Sequence, residues 1–95
     1  MKVDITARHF SPSVQLKAMV HEKLKKIEKF NSDIINCRVI LTKDAHCEDV
    51  EIFINGKGHH FVANENSDNF EKSLISAVDK ITIQVKKQHE KLVDH

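Results

Sequence analysis

Polar and apolar residues alternate at the start of the chain. Val3, Ile5 and Ala7 share one side of residues 2–8, which is the period of a strand half-covered by a core. The period then changes. Leu16, Met19, Val20, Leu24, Ile27 and Phe30 recur at steps of three and four, which predicts a helix running to about Phe30 with one buried stripe. Ser11 is placed to cap this helix, and Pro12 suits its first position, where a missing N–H costs nothing. Asn31-Ser32-Asp33, all poor helix formers, end it.

Residues 34–42 (IINCRVILT) are rich in β-branched side chains and predict a strand with Cys37, Val39 and Leu41 inward and Arg38 outward. Lys43-Asp44-Ala45-His46 is polar enough for a turn. Residues 48–54 alternate cleanly, with Val50, Ile52 and Ile54 inward and Asp49, Glu51 and Phe53 outward. Asn55-Gly56-Lys57-Gly58 marks a tight hairpin, because Asn-Gly tolerates positive φ, and His59 to Glu65 is the return strand. Ser67 or Asp68 caps a last helix, Asp68 and Glu71 fitting a capping box. Phe70, Leu74, Ala77, Val78, Ile81, Val85 and Leu92 give that helix one apolar stripe. The order β-α-β-β-β-α predicts a single α+β domain over residues 1–95, with two helices packed on one face of a four-stranded, antiparallel-rich sheet.

Charge is segregated along this order. Residues 16–30 carry five Lys against Glu22 and Glu28, and residues 80–91 carry four Lys against Glu90, a net of +3 each. Residues 31–71 carry three basic residues against eight acids, a net of −5. The formal charge of +1 therefore hides two positive surfaces, which point to a polyanion and, in a cytosolic protein, to nucleic acid. The plainer alternative, that Lys merely solvates the outer helix faces, stays open at this level. At about 100° per residue, Lys80, Gln84, Lys87 and Lys91 fall within about 60° of one another and flank the apolar stripe. Lys86 points elsewhere. On the first helix Lys25, Lys26 and Lys29 lie away from the core, and Lys17 and Lys23 lie near its edge. Such rows can follow a phosphate backbone. No Arg fork suits base reading, so backbone and shape recognition is expected.

Other classes recede. No apolar run approaches the roughly 18–20 residues of a membrane span, and MKVDITARHF lacks the apolar stretch of a secretory signal. Two cysteines make no disulfide framework, which fits a reducing cytosol. With no Trp or Tyr and five Phe, a broad stacking platform for single-stranded bases is not expected. His46 with Cys47, and His59 with His60, would make a zinc site chemically possible if their turns met, but no C-x-x-C or H-x-x-x-H spacing supports one. No nucleophile–base arrangement or Gly-rich phosphate loop occurs, so no enzyme, cofactor or metal is expected.

The chain resembles, over essentially its whole length, the ribosome hibernation-promoting factor family, also called ribosome-associated inhibitor or sigma-54 modulation proteins. The likeness is carried by Ile5-Thr6, by Leu16-Lys17 through Lys23-Leu24-Lys25-Lys26-Ile27-Glu28-Lys29-Phe30, by Ile54-Asn55-Gly56, and by Asp79-Lys80-Ile81, Gln84-Val85, Lys87 and Lys91-Leu92. It implies a fold similar to double-stranded RNA-binding domains. It also implies binding to the small ribosomal subunit (16S rRNA) of the 70S ribosome near the decoding centre, which would block mRNA and tRNA sterically. The RNA-binding residues it implies are Lys17, Lys23, Lys26, Lys29, Lys80, Lys87 and Lys91, with Gln84 in the same helical row. The chain looks like the short class, which acts with a separate small partner, ribosome modulation factor, to pair ribosomes; a cytoplasmic protein, monomeric off the ribosome, is expected. Two departures lower the fixed charge: Ile83 stands where the family usually has Arg, and His89 where it usually has Lys.

Two alternatives keep the same fold. One is a binder of plain duplex RNA, against which Ser67-Asp68-Asn69 is acidic where that domain wants lysines. The other is a protein-interaction module using outward-facing Phe53 and Ile40.

Overall fold

A computed structural model describes residues 1–30 and 33–93, with side chains in the last helix described as far as Gln88. Six elements follow the predicted order: β1 (Lys2–Arg8), α1 (Val14–Glu28), β2 (Ile34–Lys43), β3 (Glu48–Gly56), β4 (His59–Ser67) and α2 (Phe70–Val93). The strands lie side by side in sequence order. β1 runs parallel to β2, which the α1 crossover makes possible; the other two pairings are antiparallel.

Register aligns the apolar positions in rows. Val3, Cys37, Ile54 and Phe61 form one, and Ile5, Val39, Ile52 and Ala63 the next. Both helices cover this face: Val20, Leu24 and Ile27 of α1 and Leu74, Ala77, Val78, Ile81 and Val85 of α2 close the core. Among the described residues the opposite face is free of helices and carries Lys2, Asp4, Thr6 and Arg8 of β1 beside Asn36, Arg38, Ile40 and Thr42 of β2.

Several local expectations are corrected. Ser13, not Ser11, caps α1: its extended backbone precedes the first turn, and its hydroxyl accepts from the Leu16 N–H at 3.0 Å. Pro12 therefore lies before the helix. The helix ends at Glu28, and the Phe30 N–H turns back to the Ile27 carbonyl at 3.1 Å. Phe30 leaves the stripe, stays 37% exposed, and takes the Lys86 ammonium over its ring at 4.6 Å. Asn31 and Ser32 lie outside the described residues.

The hairpin turns at Lys57-Gly58, with Gly58 at φ 73°, and Asn55 and Gly56 pair inside it with His60 and His59. Gly56 has a different reason to be glycine: a Cβ there would sit 3.1 Å from the Asp33 carbonyl oxygen. Asn69, not Ser67 or Asp68, caps α2, its side chain accepting from the Lys72 N–H at 2.8 Å. Asp68 pairs with Lys72 instead. A second acceptor comes from β3, where the Glu48 carboxylate takes the Phe70 N–H at 2.8 Å and sets negative charge at the helix start. Ser73, buried in the first turns of α2, donates to the Glu48 carbonyl at 2.6 Å and locks helix to strand. Ile40 faces the helix-free side yet is covered to 8% exposure, so it offers little docking surface.

Candidate nucleic-acid interface

The sheet is the platform, and the two helices present the lysines. Lys23, Lys25, Lys26 and Lys29, with Glu22, line a groove of about 440 Å³ along α1. Three of the predicted residues thus come together, and Lys25 joins them. Lys25 lies in the run that carries the family likeness and its spacing points it away from the core, but it is not among the RNA-binding residues the resemblance implies. Lys26 is partly spent, lying 3.4 Å from Asp79 of α2. Lys17 is exposed near the start of α1 and outside this groove.

The α2 row is differently occupied. Glu65 continues the inward parity of Phe61 and Ala63 on β4, so its carboxylate meets α2 rather than solvent. Ser76 donates to it at 2.7 Å and Lys80 reaches it at 3.0 Å. The Ser76 hydrogen bond and then the Lys80 ammonium hold the Glu65 carboxyl below its ordinary value. Gln84 donates to the Val62 carbonyl at 2.9 Å, covering the edge strand's backbone. Lys80 and Gln84 therefore strap α2 to β4, leaving Lys87 exposed beyond them. Lys91 and His89 sit on α2, but their side chains lie outside the described residues.

The two basic groups sit on opposite flanks of α2. Asp79 and Lys86 face α1, through Lys26 and Phe30, whereas Lys80 and Gln84 face β4. Among the described residues no set of three His, Cys, Asp or Glu is placed to hold a metal ion. The His46–Cys47 turn and the His59–His60 start of β4 lie at opposite ends of β3, so those two pairs do not meet. No described helix is long and apolar enough to cross a membrane.

The sequence pattern of the family described as sigma 54 modulation protein / S30EA ribosomal protein matches residues 3–93. The chain belongs to this family. A ribosome hibernation promoting factor of Pseudomonas putida strain KT2440 is 30% identical over 91 residues, spanning 96% of this family member and 89% of that relative. Among solved structures, the N-terminal domain of protein Y from Thermus thermophilus matches with a TM-score of 0.84 at 20% identity, over 92% of this chain and 98% of that one. A ribosomal subunit interface protein from Coxiella burnetii matches with a TM-score of 0.88 at 21% identity, over 95% and 99%. These two likenesses establish a shared fold. The family resemblance read from the lysine rows and the Ile54-Asn55-Gly56 hairpin holds.

Proposed function

We propose that the protein binds the small ribosomal subunit near the decoding centre and silences translation by occupying the path of mRNA and tRNA. Nothing in this action needs catalysis; it is steric, and the partner is the 16S rRNA of the 70S ribosome in the cytoplasm. The observation that carries the reading is the coincidence of a family match over residues 3–93 with a solvent-facing groove lined by Lys23, Lys25, Lys26 and Lys29. The relatives' names, a ribosome hibernation promoting factor and a ribosomal subunit interface protein, support it. Lys17 and Lys87 extend the contact beyond the groove, and Lys80, Gln84 and Lys91 form the second row on α2. Phosphate recognition by Lys is charge without base reading, so affinity falls steeply with salt. Pairing of ribosomes together with ribosome modulation factor is the further step of this reading, by a chain that is monomeric off the ribosome.

Co-sedimentation with bacterial ribosomes across a salt series tests it. Stoichiometric binding to the small subunit that weakens as salt rises is expected, and tighter binding to plain duplex RNA than to ribosomes would overturn the reading.

A further inference from the structure

The helix-free face of the sheet carries a second site. Register sets four side chains in a square there: Arg38 opposite Phe53, and Asn36 opposite Asn55. Asp4 stands beside Arg38 on β1, and His60 beside Asn55 on β4. Asp4, Asn36, Arg38, Phe53 and Asn55, with Cys37 turned to the core beneath, line a depression of about 280 Å³. That is just below the volume of pockets for drug-sized ligands, which suits one small planar group.

The polar groups are pre-set. His60 Nδ1 lies 2.7 Å from Asn55 Oδ1, and Asn55 Nδ2 donates to Asn36 Oδ1 at 2.9 Å. This chain orients the Asn36 amide and leaves its N–H donors for a ligand. Neither Arg38 nor Asp4 has a hydrogen bond or ion pair among the described residues, although they are register neighbours. Each thus keeps its charge for something else. Phe53 is also set apart: Phe61 and Phe70 are in the core, Phe10 stacks on Phe70 at 4.9 Å, and Phe30 lies under Lys86. One partly exposed ring does not make a stacking platform, but it makes a place for one base.

We infer that this depression takes a single unpaired RNA nucleotide. The base lies on the Phe53 ring, its edge meets the Asn36 amide and the Asp4 carboxylate, and its phosphate pairs with the Arg38 guanidinium. A π-face, a cation and an amide edge within one square of cross-strand neighbours is the chemistry that holds a splayed-out base. The assignment to RNA rests on the ribosome reading above. It adds a contact on the face opposite the lysines, so the protein would touch RNA on two sides.

The test titrates the full chain with a six-nucleotide, non-self-complementary RNA while NMR follows the Asn36 and Asn55 side-chain amides. Those amides are expected to shift, Phe53→Leu and Arg38→Gln to weaken binding about ten-fold, and Phe53→Trp to retain it. Native-like spectra of the free variants exclude misfolding. Unmoved sheet amides, or variants that bind like the parent, overturn the proposal. Equal saturation of the same amides by free adenosine monophosphate overturns the RNA assignment in favour of a free nucleotide. Ribosome co-sedimentation is run alongside: a parent chain that shifts at the pocket but does not sediment refutes the ribosome reading and leaves the pocket standing.

Discussion

Replacing Lys23, Lys25 and Lys29 together with Gln removes the groove lysines that no carboxylate holds. Five lysines on or next to the helices, Lys17, Lys23, Lys25, Lys29 and Lys87, are held by neither a carboxylate nor a ring among the described residues. Each phosphate contact contributes about −0.7 to −0.9 to the slope of log K against log salt. Five contacts give a slope of about −4, so raising salt from about 50 to about 200 mM weakens ribosome binding about 250-fold. With three removed, the slope falls to about −1.6 and the same change in salt weakens binding only about 10-fold. Exposed Lys57, at the hairpin tip, is the control: Lys57→Gln keeps the parent slope. Quantitative co-sedimentation at four or more salt concentrations reads both slopes, and urea midpoints confirm that surface changes of this kind leave the fold within about 0.5 kcal/mol. A triple variant with the parent slope, or a Lys57 variant that lowers it equally, refutes the groove as the phosphate site.

Glu65→Gln frees Lys80 and is expected to steepen the same slope by about one contact; an unchanged slope means Lys80 does not reach RNA. Because its folded value lies below its ordinary 4.5, the Glu65 contact contributes stability above that pH and loses it as pH falls through the folded value. Acid unfolding of Glu65→Gln should lack this step, and an identical acid limb in the parent would contradict it. His9 holds φ at 72°, a region costly for branched side chains. His9→Gly is therefore expected to match or exceed the parent in urea, while His9→Val loses about 1–2 kcal/mol; a Val variant as stable as the parent would show that this strain is absent. Burial pushes the Cys37 thiol up to about 12, so it should ignore a disulfide reagent near pH 8 until the chain unfolds. The Asp44 carboxylate, which accepts from Cys47 Sγ at 3.3 Å, raises that thiol as well. Asp44→Asn should then speed Cys47 alkylation, and an unchanged rate would remove Asp44 as the cause.

Much of this fold was readable because most of its signals are periodic. The alternation of Val50, Ile52 and Ile54 and the three-and-four spacing of Leu74, Ala77, Val78 and Ile81 each name a face without reference to the rest of the chain, and each of those residues is buried. Some errors are local, such as Ser13 capping α1 in place of Ser11, and others fall where the deciding contact is distant in sequence. The capping box drawn from Asp68 and Glu71 loses to Asn69 and to Glu48, the latter 22 residues before the Phe70 N–H it accepts from. The Asn55-Gly56 dipeptide predicts a turn that falls instead at Lys57-Gly58, and a Cβ at Gly56 would crowd the Asp33 carbonyl oxygen at 3.1 Å. Phe30 sits in phase with the α1 stripe, but the helix stops two residues earlier, so periodicity alone overran the terminus.

The candidate interface shows the same limit more sharply. Helical spacing puts Lys80, Gln84 and Lys87 on one flank, yet it says nothing of what stands opposite, and two of the three are tied to β4. A signal for this was present. Counting by twos from Phe61 and Ala63 lands on Glu65, an acid on the inward parity of an edge strand. Turning a carboxylate toward a core is costly without a cation or donors to meet it. The helix that follows must supply them, and in phase with the β4 side of α2 it offers Ser76 and Lys80. An inward acid in a strand therefore discounts a lysine in the helix that covers it. By that rule, α1, whose groove faces solvent, carries more of the free charge than α2.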